Sequence, residues 1–98
     1  MLFIVRFIDR AERLPLRKQF LPAHLEWLEQ HQSVVLVAGS VRPELDAAPI
    51  GAVWIVEAPS KSEVEALLQT DPFWVQGLRQ SFEVLYWSTA FPERKVPV

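Results

Sequence analysis

The chain shows two different patterns of hydrophobic and polar positions. Four short apolar stretches are rich in β-branched and aromatic residues, as buried strands are: 2–8, 34–38, 51–58 and 82–88. Two stretches have apolar residues three or four positions apart, as helices do: 16–32 and about 61–69. The order predicts a β-α-β-β-α-β chain, an α+β ferredoxin-like fold with two helices on one face of an antiparallel sheet.

Local signals mark several element ends. Ser60-Lys61-Ser62-Glu63 has the spacing of a capping box, which predicts the start of the second helix. Asp71-Pro72 ends that helix and caps a short turn, with Gly77 as its exit. Residues 41–50 hold two prolines and no clear period, which predicts a loop long enough to border a pocket.

The strands carry apolar side chains on both faces. The continuous apolar run 34–38 predicts a strand buried on both faces, and Val53 and Ile55 alternate with Trp54 and Val56. Two helices cover only one face, and the other would expose more apolar surface than a soluble monomer usually does. We therefore expect a homodimer in which the sheets of two copies pack together.

The composition of the chain mainly excludes classes of protein. The length of 98 residues predicts one domain, 1–98, with an extended tail at 90–98 that is loosely held or wraps a partner. Half of the residues are hydrophobic and 22% are charged, which excludes disorder. The net charge of −2 argues against a nucleic-acid partner, and no apolar run is long enough for a membrane span. A cytoplasmic protein is the default prediction.

Few residues are available for cofactor chemistry. There is no cysteine, which excludes thiolate metal sites and a cysteine nucleophile. His24 and His31 lie seven positions apart with no acidic triad beside them, so we predict no metal site. A glycine-rich phosphate loop and a nucleophile elbow are also absent from the sequence, so we predict no cofactor.

His24 is the first candidate for chemistry. It falls on the helical stripe of Leu21, Leu25 and Leu28, which predicts a core-facing imidazole that needs a partner. Asp71 is the candidate partner, because this fold can bring the first helix and the end of the second to one edge of the sheet. A carboxylate on one ring nitrogen fixes the tautomer and raises the basicity of the other, as a general base requires.

The pattern leaves alternatives open. In the alternative, His24 is a hydrogen-bonded core histidine and Asp71 a helix cap, and the pattern alone favours that structural role. Arg6, a charge within the first strand, lies either at a sheet edge or towards a pocket, where it would bind substrate.

Several fragments, in order over nearly the whole chain, resemble the YciI-like (YCII-related) family. They are Pro22-Ala23-His24-Leu25, Ala38-Gly39, Gly51 entering a strand that ends Val56-Glu57-Ala58, Asp71-Pro72-Phe73 and Gly77-Leu78. The resemblance implies a domain of the dimeric α/β-barrel type that pairs through its sheets, with a His-Asp pair in a cleft. By motif match, that pair is His24 and Asp71.

The resemblance also implies a class of reaction, since some relatives are associated with dehalogenation or rearrangement of small aromatic-ring catabolites. This chain has Ser40 where the family often has proline, and Phe73 where it often has tyrosine. The first change adds a hydroxyl and the second removes one, so both residues are candidates for substrate binding.

The sequence leaves two functional hypotheses open. In the first, His24 is oriented by Asp71 and moves a proton to or from a small organic substrate, which includes substrates derived from aromatic compounds. The substrate is held between the helices and residues 40–50. Elimination, dehalogenation and isomerisation fit those groups. In the second, the chain is a non-catalytic ligand-binding or accessory dimeric module, and His24 matters only to stability or affinity.

Overall fold

The order of strands and helices confirms the α+β ferredoxin-like fold. The computed structural model describes residues 1–93, so part of the predicted tail, 94–98, lies outside the described residues. The elements are β1 Leu2–Asp9, α1 Pro15–Gln30, β2 Val35–Val41, β3 Gly51–Glu57, α2 Lys61–Leu68, α3 Pro72–Val75 and β4 Arg79–Tyr86, with a 3-10 helix at Ala11–Arg13 before α1. The α3 helix forms where the sequence predicted only a turn.

The sheet is antiparallel, with strand order β2-β3-β1-β4. Val5 of β1 lies opposite Trp54 of β3 and Val84 of β4, so these side chains point to the same face. The helices cover that face and form one core with it. Its members include Phe3, Val5, Phe7, Trp27, Ala52, Trp54, Val56, Val64, Leu68 and Val84.

The local signals at the second and third helices are confirmed. Ser60 is the N-cap of α2, where its hydroxyl oxygen accepts a hydrogen bond from the Glu63 amide at 3.3 Å. Asp71 is the N-cap of α3. Gly77 follows α3 with φ of 83°, a left-handed conformation that glycine adopts without a steric penalty.

The prediction that the second strand is buried on both faces is wrong. The β2 strand lies at the edge of the sheet, and Leu36 and Val37 are 44% and 58% exposed. An edge strand packs against one neighbour only, so an apolar run there does not imply burial on both faces. The strand also continues through Gly39 and Ser40 to Val41.

The prediction of a core-facing leucine stripe on the first helix is wrong for Leu21 and Leu25, whereas Leu28 packs against the core. His24 and Trp27 are the buried residues of α1, whereas Leu21 and Leu25 are exposed. These leucines and Leu28 border a cavity between α1 and the β2–β3 side of the sheet, so open space lies beside them.

No helix within residues 1–93 covers the second face of the sheet. Its apolar members are Ile4, Ile8, Val37, Val41, Val53, Ile55 and Leu85. Near its centre, Arg6 forms an ion pair with Glu83. We call this surface the open face. No helix among the described residues has the length and apolar character needed to cross a bilayer.

Candidate active site

The centre of the site is a hydrogen bond between α1 and the start of α3. His24 Nδ1 lies 2.6 Å from Asp71 Oδ1, and both side chains are buried. Asp71 Oδ1 also accepts the Phe73 amide at 3.3 Å, the N-cap contact of α3. The carboxylate therefore caps a helix and holds an imidazole, so the two roles weighed from the sequence coexist.

This contact defines which nitrogen of His24 is available. An ionised carboxylate only accepts hydrogen bonds, so in the neutral ring Nδ1 carries the proton and Nε2 carries the lone pair. Within residues 1–93, Nε2 has no hydrogen-bond partner. The phenyl ring of Phe73 stacks on the imidazole with centroids 4.1 Å apart and an interplanar angle of 16°. The imidazole is thus held by the Phe73 ring against one of its faces and by the hydrogen bond at Nδ1.

A cavity of about 210 Å³ lies beside His24. We call it the His24 cavity. Its walls include His24, Ser40, Trp54 and Arg79, with the leucines of α1 on the helix side. From the predicted stretch 40–50 only Ser40 reaches it. A larger cavity of about 320 Å³, lined by Met1 and Trp87, contains neither His24 nor Asp71.

Two arginines that the sequence reasoning did not select stand at the same site. Asp9 Oδ1 accepts from Arg79 Nη1 at 2.8 Å, and Asp9 Oδ2 accepts from Arg17 Nη2 at 2.6 Å. Asp9 and Arg79 face each other across β1 and β4 and are both buried. Burial lowers the pKa of Arg79, while the hydrogen bond and charge of Asp9 act in the opposite direction.

Several polar atoms at this site are buried and lack a protein partner. Among the described residues these are the donors Arg17 Nε, Arg79 Nε, Arg79 Nη2 and Trp54 Nε1, and the acceptor Asp71 Oδ2. Arg17, Arg79 and Trp54 all line the His24 cavity. Each of these donor atoms is sealed from the open space of the cavity, although other atoms of the same residues border it.

The remaining sequence-predicted site residues are placed differently. Phe73 is fully buried beneath the imidazole and does not line the cavity. Arg6 projects from β1 onto the open face and ion-pairs with Glu83 across the sheet from the cavity. Because β1 is an inner strand whose even-numbered residues point away from the helices, Arg6 reaches neither a sheet edge nor the His24 cavity.

The missed arginines had a detectable signal. Phe3, Val5, Phe7 and Asp9 share one strand parity, so Asp9 continues the core-facing series of β1. A carboxylate at that position needs a buried cation, and Arg79 is its neighbour in the sheet. In residues 1–93, no cluster of three histidine, aspartate or glutamate side chains is arranged to hold a metal ion.

The geometry defines a small α+β ferredoxin-like domain in which a buried His-Asp pair lies beside a cavity of about 210 Å³. The sequence model of the YCII-related domain matches residues 1–88, and the chain belongs to that family. No curated protein sequence matches the chain.

Solved structures share the fold. The 5-chloro-2-hydroxyhydroquinone dehydrochlorinase of Burkholderia phenoliruptrix AC1100, in complex with 2,5-dihydroxybenzoquinone, is 30% identical with a TM-score of 0.81, covering 90% of this chain and 94% of that one. A candidate antibiotic biosynthesis monooxygenase of Bacteroides thetaiotaomicron VPI-5482 is 18% identical with a TM-score of 0.59, covering 99% and 95%. Another antibiotic biosynthesis monooxygenase is 20% identical with a TM-score of 0.55, covering 92% and 99%. The last two show the fold alone.

Proposed function

We propose that this protein is a small enzyme that moves a proton to or from a ring-sized organic substrate, with His24 as general base and acid and Asp71 as its positioning residue. The observation that carries the proposal is the 2.6 Å contact between His24 Nδ1 and a fully buried Asp71, on a ring that lines a cavity. Such a pair leaves Nε2 basic and held in one orientation, which is the geometry of general acid–base catalysis.

Elimination and isomerisation both follow from that equipment. In an elimination, Nε2 takes a proton from the substrate, the electron pair left behind forms a new double bond, and a halide departs with the electrons of its carbon–halogen bond. In an isomerisation, the imidazolium returns the proton to a different atom of the same substrate. Neither route needs a group besides His24 to change its protonation state.

The size of the cavity and one relative support a ring substrate. The His24 cavity measures about 210 Å³, and an apolar cavity of ~150 Å³ holds benzene, so a substituted six-membered ring fits. The dehydrochlorinase that is 30% identical was solved with a dihydroxybenzoquinone bound. We extend that class, small hydroxylated rings, to this chain. Ser40 lies in the cavity wall, where its hydroxyl would hydrogen-bond a ring substituent.

The test is turnover of 5-chloro-2-hydroxyhydroquinone, followed by chloride release. We expect His24→Asn to lower kcat/KM by at least about 100-fold, the usual contribution of a positioned acid–base group. His31→Asn is the matched control, because His31 lies at the end of the same helix, stacked on Trp27. Its activity should stay near wild type.

Two outcomes would contradict the proposal. The first is His24→Asn turnover equal to that of wild type. The second is chloride release no faster than the uncatalysed reaction while ring compounds still bind and His24→Asn changes only their affinity. That second result would favour the non-catalytic ligand-binding module.

We further propose that two copies pair through the open face. Its apolar side chains, Val37 and Ile8 among them at 58% exposure each, form the kind of continuous patch that marks an interface. Val37→Glu should reduce the mass measured by light scattering from dimer to monomer. Leu45→Glu, in the exposed loop after β2, should leave the mass unchanged. A monomeric wild type would refute the pairing. The cytoplasmic location stays a prediction from the sequence.

A further inference from the structure

The sheet side of the His24 cavity carries small residues. Ala38 and Ser40 of β2 and Ala52 of β3 all point towards the helices and line this cavity. The apolar side chains elsewhere on that face of the sheet are larger, and they include Phe3, Val5, Phe7, Val56 and Val84. Space is therefore left at one corner of the sheet, between α1 and the β2–β3 pair.

The three small residues are neighbours in the strand register. Ser40 lies opposite Ala52, and Ala38 lies opposite Trp54, the next helix-facing residue of β3. Side chains two positions apart along a strand point to the same face, and those directly opposite on adjacent strands are in contact. Ala38, Ser40 and Ala52 therefore form one continuous surface, which we call the cavity floor.

The cavity has an exposed end and a buried end. Leu25 is 54% exposed and Ser40 is also exposed, whereas Ala52, Trp54 and His24 are all buried. A ligand therefore enters beside Leu25 and Ser40 and approaches His24 at the buried end. Nε2 of His24 is not among the sealed polar atoms of this site, so a ligand that lies on the cavity floor can reach it.

The volume of the cavity limits what can lie there. It measures about 210 Å³, whereas a cavity of ~150 Å³ holds benzene. The remainder has room for small ring substituents such as hydroxyl groups or chlorine, and none for bulky branched groups on two sides of the ring. Protein interiors are close-packed, so a larger side chain at any position of the cavity floor would take up space that a ring needs.

We propose that the cavity floor determines substrate size, so that the enzyme accepts a single ring with small substituents and rejects rings with bulky branched groups on two sides. This inference rests on the proposed function, because it concerns the substrate that reaches His24. Ala38, Ser40 and Ala52 contact that substrate and take no part in proton transfer. One methylene group too many in an apolar pocket changes discrimination by about 10–200-fold, so a floor of small residues is an effective size filter.

The test compares the binding of catechol and of 3,5-di-tert-butylcatechol by isothermal titration calorimetry without oxygen, which would oxidise both compounds. Wild type should bind catechol at least about tenfold more tightly. An open apolar surface would give the opposite order, because the bulkier compound buries more apolar area. Ala38→Leu fills part of the cavity floor and should weaken catechol binding at least about tenfold.

Matched variants separate lost space from other effects. Ala23→Leu makes the same change on the exposed side of α1, outside the cavity, and should leave the Kd of catechol unchanged. If Ala38→Leu fails to fold by circular dichroism, the exposed position Ser40 decides the question. Ser40→Ala removes the hydroxyl and keeps the space, so Ser40→Leu should bind catechol at least about tenfold more weakly than Ser40→Ala does.

Three results would overturn the size filter. They are a wild type that binds neither compound, a wild type that binds 3,5-di-tert-butylcatechol as tightly as catechol, and folded leucine variants of Ala38 or Ser40 that bind catechol as wild type does. The catalytic proposal is judged separately, since binding is measured without turnover. His24→Asn should lose turnover of 5-chloro-2-hydroxyhydroquinone and keep the preference for catechol. Wild-type turnover with that preference intact would refute the role of His24 and leave the size filter standing.

Discussion

Replacing Asp71 by Asn and by Ala separates its two structural roles from its electrostatic one. Asp71 Oδ1 accepts both the Phe73 amide at 3.3 Å and His24 Nδ1 at 2.6 Å. Asparagine is as good an N-cap as aspartate, so Asp71→Asn keeps the helix cap and nearly the same volume. It removes the negative charge that fixes the imidazole. Alanine removes the cap, the imidazole partner and the charge together.

The expected stability changes differ for the two variants. Loss of an N-cap costs about 0.5–2 kcal/mol, and a buried imidazole N–H left unpaired adds about 1–3 kcal/mol. Removal of a desolvated carboxylate with a free Oδ2 offsets part of this. We therefore expect Asp71→Ala to lower the free energy of unfolding by about 2–4 kcal/mol, and Asp71→Asn to lower it by at least about 1 kcal/mol less.

The assays are thermal denaturation for stability and chloride release for activity. In a domain of this length a difference of 1 kcal/mol moves Tm by about 4–8 °C, so the two variants are resolved easily. Both should lose at least about 100-fold in kcat/KM, because neither holds the imidazole with a charged acceptor. An Asp71→Asn protein with wild-type turnover would refute the role of the charge. An Asp71→Ala protein as stable as wild type would refute the account of the cap.

Other substitutions test the fold that positions the site. Gly51→Ala places a methyl group 1.9 Å from a backbone oxygen of β1 and should destabilise the protein by more than about 3 kcal/mol in thermal unfolding. At Gly39 the added methyl group meets nothing within 4 Å, so the stability of Gly39→Ala should stay within about 0.5 kcal/mol of wild type. Gly77→Ala, at φ of 83°, should lower stability by about 1–2 kcal/mol. Thr70→Val removes the acceptor of the Trp27 indole N–H at 3.0 Å and should cost about 1–3 kcal/mol in urea denaturation. Equal stabilities of Gly51→Ala and Gly39→Ala, or a Thr70→Val variant as stable as wild type, would contradict the packing described.

The sequence predicted the fold well because its signals are local. The capping box at Ser60, the stop at Asp71 and the glycine after α3 each have a short-range physical cause, and the structure places each as expected. Strand burial was harder, because an apolar run does not state whether a strand lies at the edge or the middle of a sheet. The β2 strand is the example, apolar in sequence and exposed in the fold.

The site was only partly accessible from sequence. The proximity of His24 and Asp71, 47 positions apart, depends on how α1 and α3 pack. The predicted fold made the pair a candidate, and the family resemblance strengthened that prediction. Arg17 is a polar residue of the first helix, and its position in the pattern predicted a solvent-facing side chain. Arg79 was outside the predicted last strand, which begins three residues earlier than expected. The sequence does not distinguish a buried charged residue from an exposed one. Only the position of Asp9 on the core-facing side of β1 could have indicated that it is buried against Arg17 and Arg79.

The most direct test of the central claim is the tautomer of His24 in the free protein, measured from the ¹⁵N chemical shifts of its ring at a pH where the spectrum shows a neutral imidazole. The account predicts a protonated Nδ1 and a bare Nε2 in wild type, with that preference weakened in Asp71→Asn. A proton on Nε2 in wild type would contradict it, because His24 would then offer no base to a substrate in the cavity.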